Sequence, residues 1–449
     1  MNHRKFPHML LRKSFVHHFM LWSLKANVSV AVWAVAVWGV AVWAVAFWGG
    51  AVWADDTAMK PIPIQSAISS VQPMTGIVLW TTNESVATAP IQLEYSYFTY
   101  SQVVTQSGQY DWSGLERMLD QVAKRGHQAI IRFHDTYVGK KTGVPKYITE
   151  LSGYETTKGK SEKKATEFPD WSHPELRRFT LEFFDRFAAR YDRDPRIAFI
   201  QVGFGLWAEY HIYDGPMILG KTFPTKEYQA EFVEHLSKTL VQTPWMISVD
   251  GADDAWAPFA GNEKLLKLPF GLFDDSFNHK THSKENEPNW VEFGMDRWKR
   301  APTGGEFSFF EKVDQSKALS ETGPHGIPFE KQAGKFHISF MIGDAQPQHQ
   351  KRERISSASQ ACGYRFRVTG FEANSIQSRV EIENTGIAPL YHDAFATVNG
   401  TRSKTSLKGL LPGERKWMAI DSGASASTLS IESDRLVSGQ RIEFEANLP

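Results

Sequence analysis

Two glutamates have neighbours that suit acid–base chemistry. Glu209 lies in the segment GLWAEYH, and Glu306 follows two glycines in TGGE. Hydrolysis of a glycosidic bond needs such a pair, because one carboxyl group protonates the leaving oxygen while an ionised one attacks or stabilises the anomeric carbon. Aromatic neighbours and a nearby anion raise the pKa of a carboxyl group. We therefore predict Glu209 as the general acid/base and Glu306 as the nucleophile.

Other polar and aromatic side chains near strand-like runs are candidates for substrate binding. Arg132 and His134 alternate on one strand face, where they bind a hydroxyl or sulfate group or else form a structural ion pair. Asp250 ends another apolar run, where it holds a sugar hydroxyl or shapes a turn. Tryptophan rings stack on sugar faces. The predicted substrate-binding residues are Trp207, His211, Arg132, His134, Asp250 and Trp256.

The sequence contains no pattern typical of a metal or cofactor site. His279 and His282 have a spacing that suits metal ligands, but no third ligand lies near them in sequence. The single cysteine, Cys362, excludes an internal disulfide and a cysteine-based zinc site. No glycine-rich phosphate loop, nucleophile-elbow serine or zinc-protease motif is present. We predict neither a metal nor a cofactor.

The charge balance argues against nucleic acid as a partner. Lys plus Arg and Asp plus Glu number 50 each, so the chain has no net charge that would attract a polyanion. We predict a carbohydrate substrate, no nucleic-acid partner, and contact with a membrane only through the N-terminal segment.

The N-terminal segment resembles an export signal in its layout. Basic residues precede an uncharged apolar stretch over residues 28–54, in which tryptophan recurs every five residues. Residues 1–54 are therefore predicted to be a signal peptide cleaved after Ala54, or otherwise a retained anchor in the inner membrane. The protein is predicted to be exported to the periplasm or beyond the cell, with residues 55–75 as a linker.

From residue 76 onward, short apolar runs alternate with amphipathic helical stretches, which is typical of parallel α/β folds. Eight strand-like runs can be counted, and eight strands predict an α/β fold of the (β/α)8 TIM-barrel type over residues 76–360. The runs lie near residues 76–80, 91–98, 128–135, 197–205, 245–251, 270–277, 301–310 and 335–343. Polar stretches 137–171 and 278–290 are predicted to be loops beside the site, at the carboxyl ends of the strands.

The pattern of apolar and polar residues in the sequence changes near residue 361. Alternating strand-like segments separated by Gly, Asn and Pro turns continue to the end, and no helical pattern interrupts them. We predict a small C-terminal β-sandwich over residues 361–449.

Three motifs carry a resemblance to known proteins. GLWAEYH, TGGE and CGYRF resemble the Trp-Gly-Glu-Trp-His, Gly-Gly-Glu and Gly-Tyr-Arg-Phe motifs of a bacterial family of uncharacterised glycosidase-like barrels, over roughly residues 76–449. Glutamates on strands four and seven are also the layout of clan A retaining glycoside hydrolases. The resemblance implies Glu209 as acid/base and Glu306 as nucleophile. Ala208 and Tyr210 depart from the motif, and Ala208 cannot bind the 2-hydroxyl group as the asparagine of that clan does.

These observations lead to one main hypothesis and two alternatives. The main hypothesis is an exported glycoside hydrolase that cleaves a polysaccharide or oligosaccharide with retention. The basic groups Arg132, His134, Lys140 and Lys141 suggest a red-algal galactan as substrate. The alternatives are a glycan-binding protein on a catalytically lapsed barrel, and a structural envelope protein held by an N-terminal membrane helix.

Overall fold

A computed structural model describes residues 58–424 and 428–449. The predicted signal peptide or anchor, residues 1–54, lies outside these residues. Within the described ranges, no helix is long and apolar enough to cross a membrane.

Eight parallel strands form a closed barrel, as the count of apolar runs predicted. Each strand pairs with its neighbours in chain order, and the eighth pairs with the first to close the ring. The predicted fold class is therefore confirmed. The barrel strands, numbered first to eighth in chain order, are Gly76–Trp80, Leu93–Thr99, Gln128–His134, Ile197–Gln201, Trp245–Ser248, Gly271–Phe277, Thr303–Phe307 and Phe340–Ile342.

Helices follow most of the barrel strands and cover the outside of the barrel. Pro174–Tyr191 begins with a proline in its first turn and buries a row of aromatic rings against the barrel. The described residues between the first and second strands form turns only. The α-helices are Ser113–Lys124, Lys146–Thr149, Pro174–Tyr191, Lys226–Thr239, Glu263–Leu266, Lys280–Phe293, Lys312–Lys317, Phe329–Phe336, Gln346–His349 and Arg352–Gln360.

The two polar stretches predicted to be loops have regular structure. Most of residues 278–290 belong to the helix Lys280–Phe293, which contains Pro288. Helix formation was missed because its exposed face is polar and its interior proline suggested a break. In the other stretch, Thr157–Ser161 and Lys164–Phe168 form a hairpin, with Glu162 and its neighbour Lys163 at positive φ in the two-residue turn.

The C-terminal residues form two packed sheets, which gives the predicted β-sandwich. Val380 and Met418 from the larger sheet share one apolar core with Ala396 and Ile431 from the smaller sheet. The larger sheet contains Phe366–Ala373, Ser378–Asn384, Arg415–Ile420 and Phe444–Leu448, and the smaller one contains Phe395–Val398, Thr401–Arg402 and Leu429–Glu432.

The segment predicted to be a linker also contributes to the larger sheet. Lys60–Pro61 pairs with Phe366–Ala373, and Ile64–Ser66 pairs with Phe444–Leu448. These strands are two and three residues long, too short to produce a recognisable alternation of apolar and polar residues.

The sandwich covers the amino-terminal end of the barrel. Arg435 donates hydrogen bonds to the carbonyl oxygens of Asp192 and Ile197, at 3.1 and 3.0 Å, near the start of the fourth strand. His392 Nε2 lies 3.1 Å from the carbonyl oxygen of Ala198 in the same strand. The sandwich therefore lies opposite the end at which barrel proteins build their sites.

Candidate active site

A cavity of about 1330 Å³ opens at the carboxyl ends of the barrel strands. Glu209 and Glu306 both line it, although they are 97 residues apart in the chain. The predicted binding residues Trp207, His211, Asp250 and Trp256 also line this cavity. Six of the eight predicted site residues therefore line this one cavity.

Glu209 lies on a strained loop and not on a regular strand. The fourth strand ends at Gln201, and the chain then folds back so that the N–H of Leu206 donates to the carbonyl oxygen of His211 at 2.9 Å. Trp207, Ala208 and Tyr210 have φ values of 53°, 62° and 62°. Such left-handed conformations are costly for residues with a Cβ atom and concentrate at functional sites.

Glycines allow this loop to approach the strand. A Cβ atom on Gly203 would lie 2.1 Å from the carbonyl oxygen of Ala208, and one on Gly205 would lie 2.3 Å from that of His211. A side chain at either position would therefore force the loop away from the strand. Both glycines are therefore needed for the folded-back loop.

Arg132 contacts the Glu209 carboxyl group from the interior of the barrel. Its Nη1 contacts Glu209 Oε1 and also donates to Tyr97 Oη at 3.0 Å. Its Nε donates to Gln201 Oε1 at 2.8 Å, and its guanidinium carbon lies 4.3 Å from the centre of the Phe273 ring. The Nε and Nη1 atoms thus hold the guanidinium inside the barrel, where it orients Glu209.

The environment of Glu209 favours its protonated form. Glu209 is 6% exposed, and burial raises the pKa of its carboxyl group well above the ordinary value. The adjacent Asp275 carboxylate raises this pKa further, Arg132 opposes the shift, and Glu306 adds a smaller increase. A carboxyl group that keeps its proton near neutral pH is suited to general acid catalysis.

Asp275 is a site residue that the sequence analysis missed. It lies in the sixth strand, lines the cavity, and has a carboxylate oxygen within 4.8 Å of one from Glu209. Two carboxyl groups this close disfavour ionisation of both, which is why Asp275 raises the pKa of Glu209. The sequence shows Asp274 and Asp275 side by side, and alternation alone did not indicate which one faces the cavity.

His211 forms a second polar pair beside Glu209. Its Nδ1 lies 2.6 Å from Asp250 Oδ2, and its Nε2 lies 3.7 Å from Glu209 Oε2. Burial by itself would lower the pKa of His211, but the hydrogen bond and charge of Asp250 outweigh burial and raise it. Asp250 therefore orients His211, and it also lines the cavity itself.

Glu306 lies in the seventh strand next to Trp80. Burial raises the pKa of Glu306 to about 8, while Arg132 and a hydrogen bond from Trp80 oppose that rise. The two glycines before Glu306 accommodate protein atoms: a Cβ atom on Gly304 would lie 2.5 Å from the Phe340 ring, and one on Gly305 would lie 2.4 Å from the carbonyl oxygen of Asp274. With a pKa of about 8, Glu306 is mostly protonated at neutral pH.

Two predicted binding residues lie outside the cavity wall. Arg132 is 1% exposed, makes its contacts with the protein, and positions Glu209. His134 is 7% exposed and packs its ring against Tyr97 and Tyr137, at 5.2 and 5.5 Å. Burial, together with Arg132, lowers the pKa of His134 to about 4. Neither side chain lines the cavity, because both lie deeper in the barrel than the carboxyl ends of the strands, and Arg132 forms the structural ion pair that was the alternative.

Aromatic rings form much of the cavity wall. Trp207 is stacked against Tyr213, with ring centres 6.1 Å apart and an angle of 20° between the planes. Phe309 and Phe310, after the seventh strand, line the cavity and are 59% and 71% exposed. Rings arranged in this way offer flat apolar surfaces for the faces of sugar units.

Two groups of described residues are spaced closely enough to be considered for a metal ion. His279, Glu311, Asp314 and His325 have potential ligand atoms within 4.8 Å of one another. Their own hydrogen bonds account for this group, because His325 pairs with Asp314 at 2.8 Å and His279 Nδ1 accepts the N–H of His282 at 3.3 Å. An Nδ1 atom that accepts leaves the proton of a neutral ring on Nε2, the atom that a metal would need.

The second group is Glu209, His211 and Asp275, in the cavity itself. The contact of Glu209 with Arg132 and the pairing of His211 with Asp250 hold two of its members in place. That the protein uses no metal or other cofactor stays a prediction.

Glu306 is expected to make the protein less stable as pH rises. The folded protein keeps this proton to about pH 8, whereas the unfolded chain releases it near 4.5. Between these values the unfolded state binds fewer protons, so the free energy of unfolding falls as pH rises. Buried Asp135, whose pKa is raised to about 7, acts in the same direction. Denaturant unfolding from pH 4 to 9 should give a shallower fall for Glu306→Gln than for the parent.

A rim carboxylate supplies the control for this measurement. Glu285 is exposed at the cavity mouth, so Glu285→Gln should keep the slope of the parent. Equal slopes for the parent and Glu306→Gln would contradict the raised pKa of Glu306.

Comparisons with known proteins give only distant structural similarities. No family model matches the sequence, and no curated protein matches it. The resemblance to the bacterial glycosidase-like family therefore stays a prediction.

Among solved structures, the chain is similar to three barrel proteins. The catalytic domain of a β-amylase from Paenibacillus polymyxa is 11% identical, with a TM-score of 0.39 over 65% of this chain and 99% of that one. An α-galactosidase from Thermus thermophilus is 11% identical, with a TM-score of 0.38 over 71% and 66% of the two chains. A GH5-4 broad-specificity endoglucanase from an uncultured bacterium is 12% identical, with a TM-score of 0.36 over 64% and 85%.

Proposed function

We propose that this protein is a glycoside hydrolase that cleaves a polysaccharide or an oligosaccharide. The observation that carries the proposal is the presence of two carboxyl groups with raised pKa values, Glu209 and Glu306, in one aromatic-lined cavity. Acid-catalysed cleavage of a glycosidic bond requires a carboxyl group that is still protonated near neutral pH. The TM-scores of the similar structures are too low to support this proposal.

In the proposed reaction Glu209 transfers its proton to the glycosidic oxygen as the bond to the anomeric carbon breaks. Glu306 in its ionised form attacks that carbon and forms a glycosyl ester, and water then releases the sugar while Glu209 accepts a proton. Arg132 holds Glu209 in place throughout. Because the pKa of Glu306 is about 8, its ionisation is favoured by a mildly alkaline pH and by the positive charge that develops on the sugar ring.

The galactan substrate suggested by the basic groups is not supported by their positions. Arg132 and His134 are buried in the barrel, and Lys140 and Lys141 are exposed but do not line the cavity. The class of substrate therefore depends on the groups that line the cavity.

The direct test is release of reducing ends from a panel of glycans by the full chain. The panel includes neutral, amino, acidic and sulfated polysaccharides and oligosaccharides. We expect release from at least one member, with the newly formed anomer retaining the configuration of the cleaved bond in proton NMR. An inverted product would contradict retention, and the absence of release from every member would contradict hydrolysis.

Glycan binding without hydrolysis is the second candidate function. It is favoured by Ala208, which cannot supply the hydrogen bond made by an asparagine in clan A enzymes, and by the raised pKa of Glu306. This alternative predicts that a glycan binds saturably without product release, and that binding survives Glu209→Gln. Export through residues 1–54, to the periplasm or outside the cell or onto the inner membrane, also stays a prediction.

A further inference from the structure

The cavity wall has an excess of acidic side chains in a protein that is neutral as a whole. Seven carboxyl side chains line it, and among the described residues no lysine or arginine does. Of the residues that the structure describes, only His211 and His282 supply basic groups within the wall. The seven carboxyl residues are Glu162, Glu209, Asp250, Asp253, Asp275, Glu285 and Glu306.

Three of these carboxylates are not neutralised by the protein. Asp253, Asp275 and Glu285 form no salt bridge within the described ranges, whereas Glu162 lies 3.6 Å from Lys164 and Asp250 pairs with His211. Asp253 and Glu285 are exposed at the mouth. A negatively charged sugar chain entering this mouth meets like charges, whereas a positively charged chain meets partners.

The aromatic part of the wall points to the same type of ligand. Trp207, Tyr213 and Trp256 present rings to the same space as the carboxylates. Ring faces attract cations as well as the apolar faces of sugars, and rings combined with carboxylates are a common way to bind amines. The cavity therefore combines two features that favour a sugar carrying a positive charge.

We propose that the substrate is a glycan of amino sugars whose amines are free and protonated, held between the rings and the carboxylates of the cavity. This inference rests on the proposed function for the identity of the ligand as a glycan. It replaces the sulfated galactan, since sulfate groups would be repelled by the same carboxylates.

The test compares four probes by calorimetric binding to the full chain carrying Glu209→Gln, which prevents turnover. Tetramers of β-1,4-linked glucosamine, N-acetylglucosamine and glucose differ only at carbon 2, and a sulfated galactan oligosaccharide is the fourth probe. At mildly acidic pH and low salt we expect the free-amine tetramer to bind about tenfold more tightly than the other two tetramers. This preference should shrink as salt is added.

Adjacent residues supply a matched control. In the same background, Asp253→Asn with Glu285→Gln should lower affinity for the free-amine tetramer severalfold and leave affinity for the glucose tetramer unchanged. Asp254 and Glu287 are exposed neighbours that do not line the cavity, so Asp254→Asn with Glu287→Gln should change neither affinity.

The outcomes separate this inference from the proposed function. Equal affinity for the three tetramers, tighter binding of the sulfated probe, or no binding of any probe would overturn the inference. Preferential binding of the free-amine tetramer without cleavage by the parent protein would uphold the inference and reject hydrolysis. Cleavage of a neutral or sulfated glycan without a preference for amines would uphold hydrolysis and reject the inference.

Discussion

Glu209→Gln is expected to lower the rate of glycan cleavage by about 10²- to 10⁴-fold, which is the usual contribution of a general acid. Glutamine has nearly the same shape, and its side-chain oxygen can still accept the hydrogen bond from Arg132. What the variant loses is the proton that burial and Asp275 keep on Glu209. The measurement is the initial rate of reducing-end release from whichever glycan the parent cleaves.

The leaving group separates an acid from a structural residue. A glycoside with a dinitrophenyl leaving group needs little protonation, so Glu209→Gln should retain much more of the parental rate on it than on the glycan. Glu287→Gln, an exposed change outside the cavity, should keep the parental rate on both. If the rate falls by the same factor on both substrates, Glu209 does not act as the proton donor.

Arg132→Met is expected to lower the free energy of unfolding by about 3–5 kcal/mol, the usual cost of removing one partner from a buried ion pair or network. Arg132 is 1% exposed, and its hydrogen bonds reach Gln201, Tyr97 and the carbonyl oxygen of Trp207 as well as Glu209. Methionine leaves these acceptors without a donor in the barrel interior. Denaturant unfolding followed by tryptophan fluorescence measures the loss.

A double-mutant cycle tests whether Arg132 acts through Glu209. Once Glu209→Gln has removed the carboxyl group, Arg132→Met should cost less, by about 0.5–3 kcal/mol, because the contact between the two side chains has already been altered. Arg193 is exposed, so Arg193→Met should change stability by no more than about 0.5 kcal/mol. Strict additivity of the two barrel substitutions would contradict a direct coupling between Arg132 and Glu209.

The barrel was predictable because its signal is repeated and local. Each barrel strand is a short apolar run bounded by turn residues, and eight such runs in alternation with helical stretches leave few alternative folds. The helix Lys280–Phe293 was not predicted because a polar helix that contains Pro288 lacks the apolar periodicity on which recognition depends.

The candidate site was predictable only in part. Glu209 and Glu306 stood out because aromatic residues and glycines surround them in sequence. Asp275 did not stand out, because its importance comes from contact with Glu209, which is 66 residues away in the chain. Arg132 was predicted to bind the substrate, whereas in the structure it is buried and contacts Glu209. Sequence does not show how far along the barrel axis a side chain lies.

The sequence by itself determined the order of the elements and the two glutamates, since strand periodicity and residue type are properties of neighbouring positions. Only the tertiary structure decided that Asp275 faces Glu209, that Arg132 is enclosed, and that the lysines after the third strand lie outside the cavity. The physical reason is that the pKa values of the site residues, and the ligand charge that the cavity favours, depend on burial and on distances between side chains. Barrel closure sets both, because it brings together residues from strands far apart in the chain.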